Sequence, residues 1–311
     1  MTKLELSASH RATLFSALLE LDHQQGGWDK VFQLLNQGQR VAEQAQLPEL
    51  AEQLEQGQTV VLEGLKKTGQ FLPWELKLIE LGLATGNVRG SYQRLRDHYL
   101  LQQQLAFRVK QHLKLPLLIL TVIVMGLLLW LLEQNYFSVS GAVLRLALTA
   151  AGFYLLGALI QHGVSRFRHY QPLGLYRYIP PIATTLSLAQ RYYFLANLSQ
   201  CIESGLPLLQ SLKLAAKKIP DVNYVDDFLA VHNAVANGNK LSQALLKNGM
   251  LAGVELAQLD KSTATASDAQ ALITESVYHA YIAQLWFWAS TLPLLVYALL
   301  PVLCLLLLVS A

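Results

Sequence analysis

Polar and apolar residues alternate along the first hundred positions with the period of a helix. In "LFSALLELDHQQGGWDKVFQLLNQ" apolar residues fall at 14, 15, 18 and 21, then at 31, 34 and 35. Spacings of three and four put each set on one helical face. Gly26 and Gly27 break the run and Asp29 opens the next helix, so the stretch predicts a helical hairpin. Few β-branched alternating runs compete with this pattern, and no Gly-rich strand-to-helix turn occurs. The pattern predicts an all-α protein.

Three segments depart from amphipathicity and are largely apolar. Residues 115–132, "LPLLILTVIVMGLLLWLL", carry no charge and match the length needed to cross about 30 Å of hydrocarbon. Residues 285–311 are uncharged, with Trp286 and Trp288 at the position of an interfacial aromatic belt. Residues 139–160 form a weaker third stretch, because Arg145 interrupts it near one end, from where its side chain can snorkel towards headgroups. The run "IPPIATTLSLA" from Ile179 is too short to span and holds Pro180 and Pro181, so it reads as a linker leading into a soluble helix. These runs predict a polytopic membrane protein. Its expected parts are a first bundle at 1–114, spans at 115–132, 139–160 and 285–311, a loop at 133–138, a linker at 161–190 and a second bundle at 191–284.

Charge orients these spans. Residues 1–114 hold 13 Lys and Arg, residues 161–284 hold 10, and Arg145 completes the 24 in the chain. The flanks "RVKQHLK" (108–114) and "RFR" (166–168) lie close enough to the spans for the positive-inside rule to act. Both polar segments are therefore expected in the cytoplasm, with the 133–138 loop and the C-terminus outside. No cleavable signal is expected at the N-terminus, since Leu4, Leu6, Leu14 and Leu18 alternate with polar residues.

The two polar segments repeat each other. Aligning "LFSALLELDHQQGGWDKVFQLL" with "YFLANLSQCIESGLPLLQSLKL" places Phe15 on Phe194, Leu19 on Leu198, Gly26 on Gly205 and Trp28 on Pro207. Further on, Gly57 pairs with Gly238 and Leu65 with Leu246. Leu83 stands as far from Pro116 as Asp260 does from Pro293, so the proline leading into each following span is in register. The stretch "LIELGLATGNV" (78–88) opens the last part of the first repeat. Its glycines, Gly82 and Gly86, resemble a phosphate cradle only superficially, because neither a Walker-type lysine nor a preceding strand accompanies them. A helix break with close helix packing is the expected structure.

This order of parts, a glycine-punctuated helical bundle, a hinge and a proline-led span, all occurring twice, resembles the type II secretion F-domain family. Its members are inner-membrane platform proteins of type II secretion systems and type IV pili. The resemblance runs from about Arg11 to the C-terminus. It implies two cytoplasmic six-helix bundles, three spans, placement in the bacterial inner membrane and no enzymatic activity. It implies as partners a cytoplasmic assembly ATPase, pilin or pseudopilin subunits, other inner-membrane assembly proteins, the lipid bilayer and further copies of the chain. Two departures stand out: Leu83 occupies the position where the family usually has Glu, and at the second hinge Asp260 is flanked by Leu259 and Thr263 in place of glycines. A secondary transporter or small channel built on an internal repeat is the alternative, disfavoured because Arg145 is the one charge within the spans.

Composition narrows the remaining choices. With 53% hydrophobic and 14% charged residues the chain is more apolar than ordinary soluble proteins, and its net charge of +3 is scattered, which argues against nucleic acid. Cys201 and Cys304 lie in dissimilar segments, so neither a disulfide nor a cysteine metal site is expected. His98 and His112 have no acidic ligand between them and read as exposed or headgroup-facing, so no metal or other cofactor is expected. Adjacent Asp226 and Asp227 point to different sides of a helix and read as a first-turn charge cluster. Pro293 and Pro301 read as packing kinks. The candidate ATPase-facing residues are Lys66, Lys67 and Lys77 beside the first hinge and Lys213, Lys217 and Lys218 in the second repeat.

Overall fold

The computed structural model describes residues 7–21, 66, 71–133, 180–250 and 266–309. These residues are helical, with no strand among them. In chain order they form α1 (Ala8–Leu21), α2 (Pro73–Thr85), α3 (Val88–Glu133), α4 (Pro180–Glu203), α5 (Leu208–Lys217), a 3-10 turn (Val222–Tyr224), α6 (Val225–Ala236), α7 (Leu241–Lys247) and α8 (Ala266–Val309). The protein is all-α, as the periodicity predicts.

The chain divides into two compact units. One takes its described residues from 1–103 and 169–282, the other from 104–168 and 283–311. Both repeats thus contribute to the first unit, where the sequence reads two separate bundles. The expected boundaries at 114/115 and 284/285 fall inside helices, since α3 runs on past Pro116 to Glu133 and α8 continues to Val309. Among the described residues no helix is long and apolar enough to cross a membrane. The expected span at 139–160, along with several side chains within 115–132 and most of those after Thr291, lies outside the described set.

Two cores fill the first unit. One gathers Leu14, Phe15 and Leu18 of α1, Trp74, Leu78 and Ile79 of α2, and Leu95 and Tyr99 of α3, with Tyr193 and Cys201 of α4. The other gathers Phe194, Leu195 and Leu198 of α4 with Leu212 of α5, Phe228 and Val231 of α6, Leu245 of α7, and Ile273 and Val277 of α8. Phe15 and Phe194, which the repeat aligns, are both fully buried, one in each core. Helix α4 serves both cores at once, which requires apolar residues on more than one of its faces. It also starts earlier than the sequence suggests. Pro180 lies in its first turn, where the missing proline N–H would have had no helical partner anyway. The aligned glycines Gly205 and Gly238 end α4 and α6 at φ 81° and 89°. Behind each, the next N–H folds back onto the last turn, Leu206 reaching Cys201 O at 3.2 Å and Asn239 reaching Ala234 O at 3.1 Å.

The first core is pinned by a buried ion pair. Arg11 Nη1 donates to both oxygens of Glu75, at 2.7 and 2.6 Å, and the two side chains are 3% and 0% exposed. Tyr99 Oη donates to Glu75 Oε1 at 2.6 Å, and the Leu72 N–H at the start of α2 donates to Oε2 at 2.5 Å. One carboxylate therefore joins α1, α2 and α3. Burial raises the Glu75 pKa above the usual carboxylate range, against the pull of Arg11 and these hydrogen bonds. Glu75→Gln strands the Arg11 charge in the core and is expected to destabilise the protein by about 3–5 kcal/mol. Adding Arg11→Met to Glu75→Gln removes that charge and should restore much of the loss. Thermal unfolding of the full chain reads both; a wild-type midpoint for Glu75→Gln alone would mean the pair does not hold the core.

Candidate functional site

The stretch 78–88 forms the corner between α2 and α3. Its first glycine gives the two helices room: a Cβ on Gly82 would lie 2.5 Å from Ser91 Oγ and 2.9 Å from Val88 Cα. The second turns the chain. Gly86 takes φ 69°, the left-handed conformation that a side chain disfavours, and its N–H returns to Leu83 O at 3.4 Å. Asn87 then starts α3 by accepting the Gly90 N–H at 2.9 Å. Leu83 is half-buried and packs against the first core, so an apolar residue fits where the resembling family usually has Glu.

A residue from the second repeat holds this corner. Gln200 of α4 is 6% exposed. Its Nε2 has Thr85 Oγ1 at 3.0 Å, Asn87 O at 3.1 Å and Ser91 Oγ at 3.4 Å, while its Oε1 accepts from Arg94 Nη1 at 3.3 Å. Nearby, Lys77 Nζ donates to Ile219 O at 3.1 Å, and Lys218 pairs with Glu80 at 2.7 Å. Three polar links therefore tie the α2–α3 corner to α4 and to the end of α5. Burial lowers the Lys77 pKa, with the Lys218 charge acting in the same direction and Asp221 opposing it.

The six lysines that the sequence groups as candidates thus separate. Lys77 and Lys218 are committed to contacts between the repeats, whereas Lys66, Lys213 and Lys217 are exposed. Lys67 and Asp260 lie outside the described residues. Asp226 and Asp227 stand exposed in the first turn of α6.

His98 differs from its expected exposure. It sits against Trp74, with ring centroids 5.0 Å apart, and its Nδ1 faces Tyr193 Oη at 2.9 Å and its Nε2 faces Gln102 Nε2 at 2.8 Å. Burial pulls its pKa down to about 4, so the ring is neutral at physiological pH. It faces a small cleft lined also by Arg94, Tyr192 and Tyr278. Among the described residues no cluster of His, Cys, Asp or Glu could hold a metal. Cys201 is a free thiol, fully buried, and its pKa is pushed up to about 11, which makes it a poor nucleophile.

Sequence reasoning missed Gln200 and the Arg11–Glu75 pair. The pair left a signal: Arg11 occupies the same helical stripe as Leu14, Phe15 and Leu18, where a charge demands a partner. Gln200 left none, since its partners are 106 or more residues away. The chain matches no protein-family model and no curated protein sequence.

Two expectations test this site. Gln200→Ala leaves the buried Ser91 Oγ and the part-buried Thr85 Oγ1 and Asn87 O without this donor, at a cost of about 1–3 kcal/mol. Amide hydrogen exchange should therefore quicken selectively around residues 83–92, and unchanged protection there would remove Gln200 from the clamp. The second concerns pH. Between about 6.5 and 4 the unfolded chain binds a proton at His98 that the folded chain does not, so this residue's contribution makes stability fall as pH drops through that window. Glu75, with its raised pKa, acts in the opposite sense, so the comparison needs a variant. His98→Gln should show a smaller loss of thermal midpoint from pH 7 to pH 5 than the wild type; equal losses would contradict the burial of the neutral ring.

Proposed function

We propose that the chain is a non-enzymatic inner-membrane platform protein of a type IV pilus or type II secretion machine. In this role its helical repeats engage a cytoplasmic assembly ATPase and couple it to the polymerisation of pilin or pseudopilin subunits. The observation that carries the reading is the duplicated order of parts: in each repeat a helix continues past an aligned proline, Pro116 in α3 and Pro293 in α8, into an uncharged stretch. The one-sided distribution of Lys and Arg supports three spans with both polar segments in the cytoplasm and the C-terminus in the periplasm.

A motor contact needs accessible charge. Lys77 and Lys218 are engaged with Ile219 O and Glu80, so the accessible candidates among the described lysines are Lys66, Lys213 and Lys217. Reversing Lys213 and Lys217 together to Glu, with Lys218 left intact, should weaken ATPase recovery with the protein and reduce fibre assembly several-fold, because opposed charges at a rim slow association. The variant's amount in the membrane should match the wild type. ATPase recovery and assembly both at wild-type levels would remove this face of α5 as the motor contact.

A further inference from the structure

The second unit carries charge almost entirely of one sign. Its sequence ranges, 104–168 and 283–311, hold six Lys and Arg (Arg108, Lys110, Lys114, Arg145, Arg166 and Arg168) against a single acid, Glu133. One of these cations is fixed in place: the Arg108 guanidinium lies over the Trp286 ring, 4.0 Å from its centroid. A guanidinium held over a ring keeps its five N–H donors for other partners, and their planar fork matches phosphate oxygens. No described acid pairs with it.

What lies along the helix beyond Arg108 identifies the anion. Leu115 and Val122 follow at intervals of seven residues, which keeps them on the Arg108 face of α3. They are 63% and 63% exposed, and Leu118 between them is 61% exposed. On α8, Phe287 beside Trp286 is 55% exposed and Leu294, seven residues on, is 60% exposed. Val122 stands about 21 Å along the axis from Arg108 at 1.5 Å per residue, enough to line one leaflet of a hydrocarbon core about 30 Å thick. A cationic head continuing directly into an exposed apolar face matches an amphiphile whose own head is anionic. An acidic protein segment would match the head and leave the apolar face uncovered.

We infer that Arg108, held on Trp286, is a binding site for the phosphate of an anionic phospholipid whose acyl chains lie along Leu115, Leu118 and Val122. The site rests on the membrane-embedded reading above and adds to it a choice among lipids. Lys110 and Lys114, on the opposite side of α3 by helical spacing, add to the positive field.

The test uses the full chain in vesicles of mixed phosphatidylglycerol and phosphatidylcholine, with one or the other lipid brominated near the headgroup end of its chains. Bromine quenches tryptophan on contact, and subtraction of a Trp286→Phe variant isolates the Trp286 signal. Brominated phosphatidylglycerol should quench Trp286 more strongly than brominated phosphatidylcholine. Arg108→Gln should reduce that preference about five-fold, the effect of one basic residue at an anionic surface, and Arg108→Lys should keep part of it. Equal quenching by the two lipids in the wild type, or a preference unchanged in Arg108→Gln, overturns the lipid site and leaves the membrane reading standing. Quenching by neither lipid overturns the membrane reading, and the site with it.

Discussion

Helix α4 must satisfy two cores at once, and the arrangement of the first unit follows from that requirement. Tyr193 and Cys201 enter the core built by α1, α2 and α3, while Phe194, Leu195 and Leu198 enter the core built by α5 to α8. A helix with a single apolar stripe can close one bundle and leave its other side to water. A helix apolar on further faces needs a second partner, and here that partner is the opposite repeat. The polar links follow the same division. Gln200 reaches the α2–α3 corner from α4, and the pairs Lys77–Ile219 and Lys218–Glu80 reinforce the junction from the end of α5. A buried polar group such as Gln200 fixes one arrangement, because any shift leaves donors and acceptors without partners.

The internal duplication is asymmetric in how its halves are pinned. In the first repeat, Arg11 of α1 occupies a core position and is neutralised by Glu75. In the second, the aligned position is Gln190, whose Oε1 accepts the Asp221 N–H at 3.1 Å. The repeat thus conserves the apolar register, shown by Phe15 and Phe194, while each half solves its buried polar position with different chemistry.

Much of this was legible in the sequence. The three-and-four spacing announces the helices, and Gly86 announces the corner between α2 and α3. The repeat places Gly205 and Gly238 where α4 and α6 end. Other features were not legible, for physical reasons. Pro180 and Pro181 read as a linker because proline forbids a helix interior, yet in a first turn it is tolerated, so α4 begins within the expected linker. Lys77 and Lys218 read as candidate ATPase-facing residues because long charged side chains usually reach outward, and only tertiary packing brings Ile219 O and Glu80 to them. His98 read as exposed because its enclosure depends on Tyr193, 95 residues away. The misses at Lys77, Lys218, His98 and Gln200 concern residues with a partner in the other repeat.

The central claim is that the two repeats form one body through α4. The most direct test is cross-linking of Glu80→Cys to Lys218→Cys in a chain with Cys201 and Cys304 replaced by Ser, using a short bifunctional maleimide on the full chain. Glu80 Oε2 and Lys218 Nζ lie 2.7 Å apart at an accessible edge of the junction, so the account predicts efficient linkage within one chain, read as a joined peptide pair by mass spectrometry after proteolysis. Labelling of both cysteines without linkage, in a protein whose single-cysteine controls remain folded, would show two independent bundles and contradict it.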